Sequence, residues 1–331
     1  MTKKFQVIGM GNAIVDVLSH IEDDFLIENG VEKGIMQLID RDRAAELYGN
    51  MGPAVEISGG SAANTIAGLA ALGASTAYVG KVKNDQLGEI FAHDLRAQGA
   101  VFDSVMADKF HAEETARSMI LISPDGERSM NTYLGVSATL DETDIIPAQM
   151  QDTDWLYMEG YLYDKPASQK AFDTAAAQVT AAGGKNAITL SDPFCVERHR
   201  DAFLKLIRAN VDLLFANEHE LKSLYQTDDL SIAMTMAQGD VDIVACTIGP
   251  KGVYVAQGGN EIHAPAADAI MVDATGAGDM FAAGFLFGLT SDKDLLTCGR
   301  MGCLAAGEII SHTGARPEAD LRKIFANEGL I

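Results

Sequence analysis

The chain has 331 residues, with 25 Lys and Arg against 47 Asp and Glu for a formal charge of −22, and 47% hydrophobic side chains. That length buries a sizeable core as one large α/β unit or as two domains, and the composition excludes disordered, collagenous and disulfide-framework classes. The acidic surplus disfavours nucleic acid and anionic membrane surfaces as partners, because both need clustered Lys or Arg.

In chain order, the apolar run 5–9 predicts a strand, and it is too short for a signal segment or a membrane span. A polar, charged insert follows over 20–52. The pattern then predicts an Ala-rich helix over 61–72, a strand over 75–80 and a helix over 87–98. Segments 117–123 and 128–134 flank Ser123-Pro124-Asp125-Gly126, where Pro presets φ and Gly frees it, so they predict a hairpin. Strands over 155–159, 187–190, 213–216 and 243–248 complete the series. Strand and helix in alternation argue for a mainly parallel central sheet between two helical layers. With no internal repeat and no linker, 1–331 reads as one unit, with a small β-rich lobe built from parts of 14–57 and 103–136. Cys195, Cys246, Cys298 and Cys303 form no C-x-x-C pair and read as reduced, buried thiols of a cytoplasmic protein. Seven scattered His residues offer no structural zinc site.

Gly9-Met10-Gly11 follows a strand, but Ile14 stands where a dinucleotide-binding fingerprint needs its third glycine. Neither Gly80-Lys81 nor Gly184-Lys185 completes a P-loop. The segment Asp273-Ala274-Thr275-Gly276-Ala277-Gly278-Asp279 differs, because its small residues open an apolar helix. Bare N–H groups and the positive dipole end there favour an anion, and Gly276, Ala277 and Gly278 are the candidate anion hole. Asp279 in the first turn is placed to take a proton from a hydroxyl while the hole holds a phosphoryl group. An acidic residue at a helix start is equally an ordinary cap, so on the residues alone both uses stand open. Gly59-Gly60-Ser61 with Asn64 makes a second glycine-led helix start, where Gly serves close ligand approach or plain packing.

These two sites, in this order, resemble the two signatures of the PfkB carbohydrate kinase family, also called ribokinase-like, across nearly the whole chain. Ala274 departs from the usual Thr. Within the family, Gly9-Met10-Gly11-Asn12 with Asp16, the long first insert, and Leu214-Phe215-Ala216-Asn217-Glu218 look most like adenosine kinases. The resemblance implies a three-layer α/β/α core with a β-rich lid, an ATP-binding half over about 190–331, and ATP with Mg²⁺ as cofactors. It implies Asp279 as general base on a primary hydroxyl, Asn12, Asp16, Gly59, Gly60, Ser61 and Asn64 around the acceptor, and a lid hairpin carrying Arg128 and Tyr133, although an Arg after a turn is as readily a solvated side chain. Tyr161 follows a strand end, where an aromatic stacks on a base or packs in the core. Asn217 and Glu220 resemble the N-x-x-E motif that organises Mg²⁺ through water. Thr247, Gly249 and Gly252 would border ATP, and Asp273 with Thr275 are candidates for a monovalent cation such as K⁺. Adenosine is the expected acceptor, with ribose, fructose or 2-keto-3-deoxygluconate as the alternative and a non-catalytic nucleoside sensor behind both. A monomer is preferred over a dimer.

Overall fold

A computed structural model describes residues 3–331. β1 (Phe5–Met10) turns directly into β2 (Ile14–His20), and the insert folds as α1 (Asp23–Glu28), β3 (Met36–Leu38) and α2 (Arg41–Asn50). β4 (Val55–Gly59), α3 (Ser61–Ala71), β5 (Thr76–Val79) and α4 (Gln86–Ala97) follow, then the hairpin of β6 (Ala116–Ile122) and β7 (Arg128–Tyr133). Next come α5 (Pro147–Gln151), β8 (Thr153–Glu159), α6 (Pro166–Ala181), β9 (Lys185–Thr189), α7 (Pro193–Asn210) and β10 (Leu213–Asn217). The chain continues through α8 (Glu218–Tyr225), α9 (Leu230–Asp240), β11 (Ile243–Thr247), β12 (Val253–Gln257) and β13 (Asn260–Ala264). It closes with α10 (Ala277–Thr290), α11 (Leu295–Ile309) and α12 (Leu321–Asn327). No helix among the described residues is long and apolar enough to cross a membrane.

The central sheet has eight strands in the order β13-β12-β11-β10-β9-β8-β1-β5, with parallel pairing from β11 through β5 and antiparallel pairing only at β12 and β13. Its strands are apolar on both faces because both are covered. In β10, Leu213 and Phe215 join one core with α3, α10 and α11, while Leu214 and Ala216 join the other with α6 to α9. Parallel strands place their carboxyl ends on one rim, and the residues at and just beyond those ends, Asn12, Glu159, Ser191, Asn217 and Thr247, gather there.

The second sheet has five strands, ordered β3-β7-β6-β2-β4. Its outer face carries Met119, Leu121 and Tyr133 against Leu26 of α1 and Ala44 and Leu47 of α2. The polar insert thus covers one face of this sheet and leaves the other facing the rim. Gly9-Met10-Gly11 leads into a strand, so no helix N-terminus stands behind it for a pyrophosphate, a topological reason against the dinucleotide reading.

Candidate active site

Asp279 sits in the first turn of α10, and Gly276 just before it has φ +80°, a left-handed conformation that glycine adopts without strain. α3 likewise starts from Gly60 at φ +92°, where a Cβ would strike the Asn12 carbonyl. The two helix starts meet on one carboxylate: Ser61 Oγ donates to Asp279 Oδ1 at 2.6 Å, and Asn64 Nδ2 to Oδ2 at 2.9 Å. Burial pushes Asp279 up to about 6, with the Ser61 and Asn64 hydrogen bonds and the Arg316 charge opposing it. The buried Oδ1 of Asn64 has no hydrogen-bond partner among the described residues. Ala277 N–H turns back onto the Ala274 carbonyl at 3.2 Å, so of the residues expected in the anion hole it is the one whose donor is already used.

Two cavities meet at this carboxylate. One, of about 360 Å³, is lined by Gly276, Ala277 and Gly278 together with Asn217, Glu220 and Thr247. The other, of about 440 Å³, lies under the second sheet and holds Asn12, Asp16, Gly60, Asn64 and Thr275, with Ile14, Met36, Leu38, Ile120, Met130 and Phe194 as apolar walls. Ser61, Tyr161 and Asp279 line both. A proton acceptor on the shared wall, beside a helix N-terminus, suits transfer of an anionic group from one cavity to a hydroxyl in the other.

The floor of the larger cavity is wired from several elements. Glu159, 1% exposed at the end of β8, accepts from Asn12 N and Nδ2 at 3.2 and 2.9 Å and from Ala62 N in α3 at 2.9 Å. Burial lifts its carboxyl to about 7 against those three donors. Asn12 Oδ1 accepts from Ser137 Oγ at 3.0 Å, so both polar ends of this side chain are already engaged in building the wall. Gly59 makes room for the Asp16 carboxylate, which a Cβ at that position would overlap. Burial raises Asp16 to about 7, while Arg316 and Arg128 pull it down and Asp279 pushes it further up.

In the smaller cavity, Asn217 ends β10 and forms a reciprocal cap with Glu220 at the start of α8. Asn217 Nδ2 donates to Glu220 Oε1 at 2.6 Å, and Glu220 N donates to Asn217 Oδ1 at 2.9 Å. Burial lifts Glu220 to about 7. On the other side of the α10 start, Asp273 Oδ2 pairs with Arg128 Nη1 at 3.0 Å and accepts Gly314 N–H at 3.0 Å, while Oδ1 accepts Thr275 N–H at 3.0 Å. Arg128, expected in the lid over the acceptor, is buried against Asp273 and ties β7 to the loop before α10.

The pfkB family carbohydrate kinase model matches residues 35–321. The chain belongs to that family. As a pfkB kinase it transfers a phosphoryl group to an alcohol, and its α/β architecture with a second small sheet is the ribokinase-like fold. The kinase is similar to a solved probable sugar kinase from Rhizobium etli CFN 42, at 46% identity over 100% of both chains with a TM-score of 0.92. It is also similar to a solved adenosine kinase from Sinorhizobium meliloti, at 47% identity over 98% of this chain and 99% of that one with a TM-score of 0.90. The ATP-dependent ribose-1-phosphate kinase of Halopiger xanaduensis is 32% identical over 82% of this chain and 86% of that protein.

Three residues expected around the acceptor, Gly59, Arg128 and Tyr133, are not among those lining the larger cavity: Gly59 makes room for Asp16 and Arg128 pairs with Asp273. Tyr133 does not line the cavity: Thr132 and Leu134 do, and the two-residue period of a strand turns Tyr133 to the opposite face, where its hydroxyl donates to Glu113. Gly249 and Gly252 shape the turn between β11 and β12 at φ +59° and +99° and line neither cavity. Sequence reasoning passes over Glu159, Ser191, Asp192, Phe194 and Arg316. Ser191, at φ +74° without being glycine, holds Tyr161 by accepting its N–H on Oγ at 3.1 Å and its hydroxyl on the backbone carbonyl at 3.2 Å. Strand ends followed by Gly160 or by Asp192-Pro193 are the signal available for four of these, whereas Arg316 carries none.

Proposed function

We propose that this kinase phosphorylates the 5′-hydroxyl of adenosine with ATP, giving AMP and ADP. The observation that carries the reading is the larger cavity, whose polar floor around Asp16, Asn64 and Asp279 suits ribose hydroxyls and whose apolar walls suit a flat base. Phe194 is 72% exposed at the mouth, opposite Met36 and Leu38 of the second sheet, and offers a ring face for stacking. Among the described residues, Asp16, Glu159, Asp192 and Asp279 line this cavity with Arg198, and Arg316 and Arg128 act on Asp16 from behind the lining, so no surplus of cations marks a site for a sugar phosphate.

Asp279 accepts the hydroxyl proton as the oxygen attacks the γ-phosphorus in line, and Ser61 and Asn64 hold its carboxylate for that approach. The Gly276 and Gly278 N–H groups, on either side of the engaged Ala277 donor, stabilise the charge on the phosphoryl oxygens. The buried Oδ1 of Asn64 takes an acceptor hydroxyl. The second sheet acts as a lid that excludes water.

Kinases of this family use ATP with Mg²⁺, and the smaller cavity fits the ion in its donor set: one buried carboxylate, Glu220, beside a phosphate-holding helix start, suited to an ion carried mainly by water and phosphate oxygens. Mg²⁺ supplies charge neutralisation on the phosphates. The Arg128 guanidinium already brings Asp273 the positive charge that a monovalent cation would supply there.

The test is ADP release with MgATP across adenosine, other nucleosides, ribose, fructose, 2-keto-3-deoxygluconate and ribose 1-phosphate. Adenosine turnover about tenfold or more above the sugars, roughly 1.4 kcal/mol of discrimination, is the expected result. Preference for a sugar assigns the same catalytic groups to a sugar kinase, and binding without turnover assigns a sensor.

A further inference from the structure

Arg316 lies in the loop between α11 and α12, and its guanidinium is buried against both the acceptor carboxylates and the start of α3. Nη1 donates to the Ala63 carbonyl at 2.9 Å, and Nη2 donates to the Ser58 carbonyl and hydroxyl at 2.9 and 3.1 Å. Ala63 belongs to the first turn of α3 and Ser58 to the end of β4, so one planar group spans the junction from which Ser61 and Asn64 reach Asp279. The loop is itself pinned, through Gly314 N–H on Asp273 and through Glu308 Oε1, which accepts the N–H groups of Glu318 and Ala319 at 2.9 and 2.7 Å.

We propose that Arg316 is a positioning residue for phosphoryl transfer, clamping the start of α3 to β4 and fixing a positive charge beside Asp16 and Asp279. This role presupposes Asp279 as the base. Arg316 acts on Asp279 from behind the cavity lining, and the other groups around that carboxyl are Asp16 on β2 and Glu159 on β8, which are acidic, Tyr157 on β8 and Tyr161 beyond it, which are neutral phenols, and Arg198 on α7, a cation within the lining itself. Tyr78 on β5 and Asp94 on α4 face the guanidinium from its other side. Arg128 on β7 acts on Asp16, but its Nη1 is committed to Asp273. Lys would keep the charge and lose the fork that reaches two elements at once.

The experiment is a ¹³C NMR pH titration of the Asp carboxyl carbons, assigned with Asp279→Asn, on the full chain and on Arg316→Gln and Arg316→Lys, together with hydrogen exchange over residues 58–65. In Arg316→Gln the Asp279 midpoint is expected to rise measurably above the parent value, with faster exchange over that segment. Arg316→Lys is expected to keep the midpoint close to that of the parent while exchange still quickens. An unshifted midpoint in folded Arg316→Gln overturns the proposal. If that variant does not fold, Arg316→Lys decides: a parent-like midpoint with faster exchange supports the clamp, and a raised midpoint or unchanged exchange overturns it. The midpoint is read without turnover, so failure of the adenosine assay counts against the acceptor and leaves the Arg316 result standing.

Discussion

Asp279, Asp16 and Glu159 crowd one wall, and burial is the leading cause that lifts them to about 6, 7 and 7. A carboxyl raised in the folded state binds its proton more tightly there than in the unfolded chain, so the stability these groups contribute is full below about pH 4 and declines as pH rises through 6 to 7. With Asp279 as the proposed base, catalysis runs the other way, because the base must be deprotonated. Activity is therefore expected to climb along an acid limb with a midpoint near 6, over the range in which urea unfolding shows falling stability. Asp279→Asn is expected to lower kcat by about 10²- to 10⁴-fold with adenosine affinity by calorimetry largely kept. Retained turnover would show that another group takes the proton. Glu159→Gln replaces an acceptor of three hydrogen bonds by a side chain whose amide brings its own donors, and a loss of about 1–3 kcal/mol in urea unfolding is expected.

Elements place these residues through simple periodicities. In β7 the period of two sends Met130 and Thr132 to the cavity and Tyr133 to the α1 and α2 side, so a sequence reading that picks the aromatic picks the wrong face. Leu38→Ser on β3 removes apolar wall from the larger cavity, and it is expected to raise the KM for adenosine while leaving the KM for ATP near the parent value in steady-state kinetics. A matching rise for ATP would mean that the second sheet does not serve the acceptor alone. On the opposite side of the site, the Asn217 and Glu220 cap starts α8 at the rim. Strand positions and the two glycine-led helix starts are legible because each has a local signature: apolar runs for buried strands, and small residues where backbone must come close to something.

At the scale of the whole molecule, the site exists because a parallel sheet puts several strand ends on one rim and because β1 turns straight into β2, carrying the chain from the central sheet to the second one. Ligands that bind only the folded form should stabilise it by mass action: adenosine at a hundredfold excess over its Kd is expected to add about 2.7 kcal/mol to unfolding, measured as a concentration-dependent rise in Tm. The linear sequence by itself determined the α/β class, most strand and helix positions, the hairpin, and the two glycine-led helix starts, since these follow from side-chain period and backbone freedom within a short window. Only the tertiary structure decided that Ser61 and Asn64 hold Asp279, that Glu159 ties Asn12 to α3, that Arg128 pairs with Asp273, and that Arg316 reaches Ser58 and Ala63. Those contacts join residues between 97 and 258 positions apart, and no local window carries the long-range packing that sets where a buried charge finds its partner.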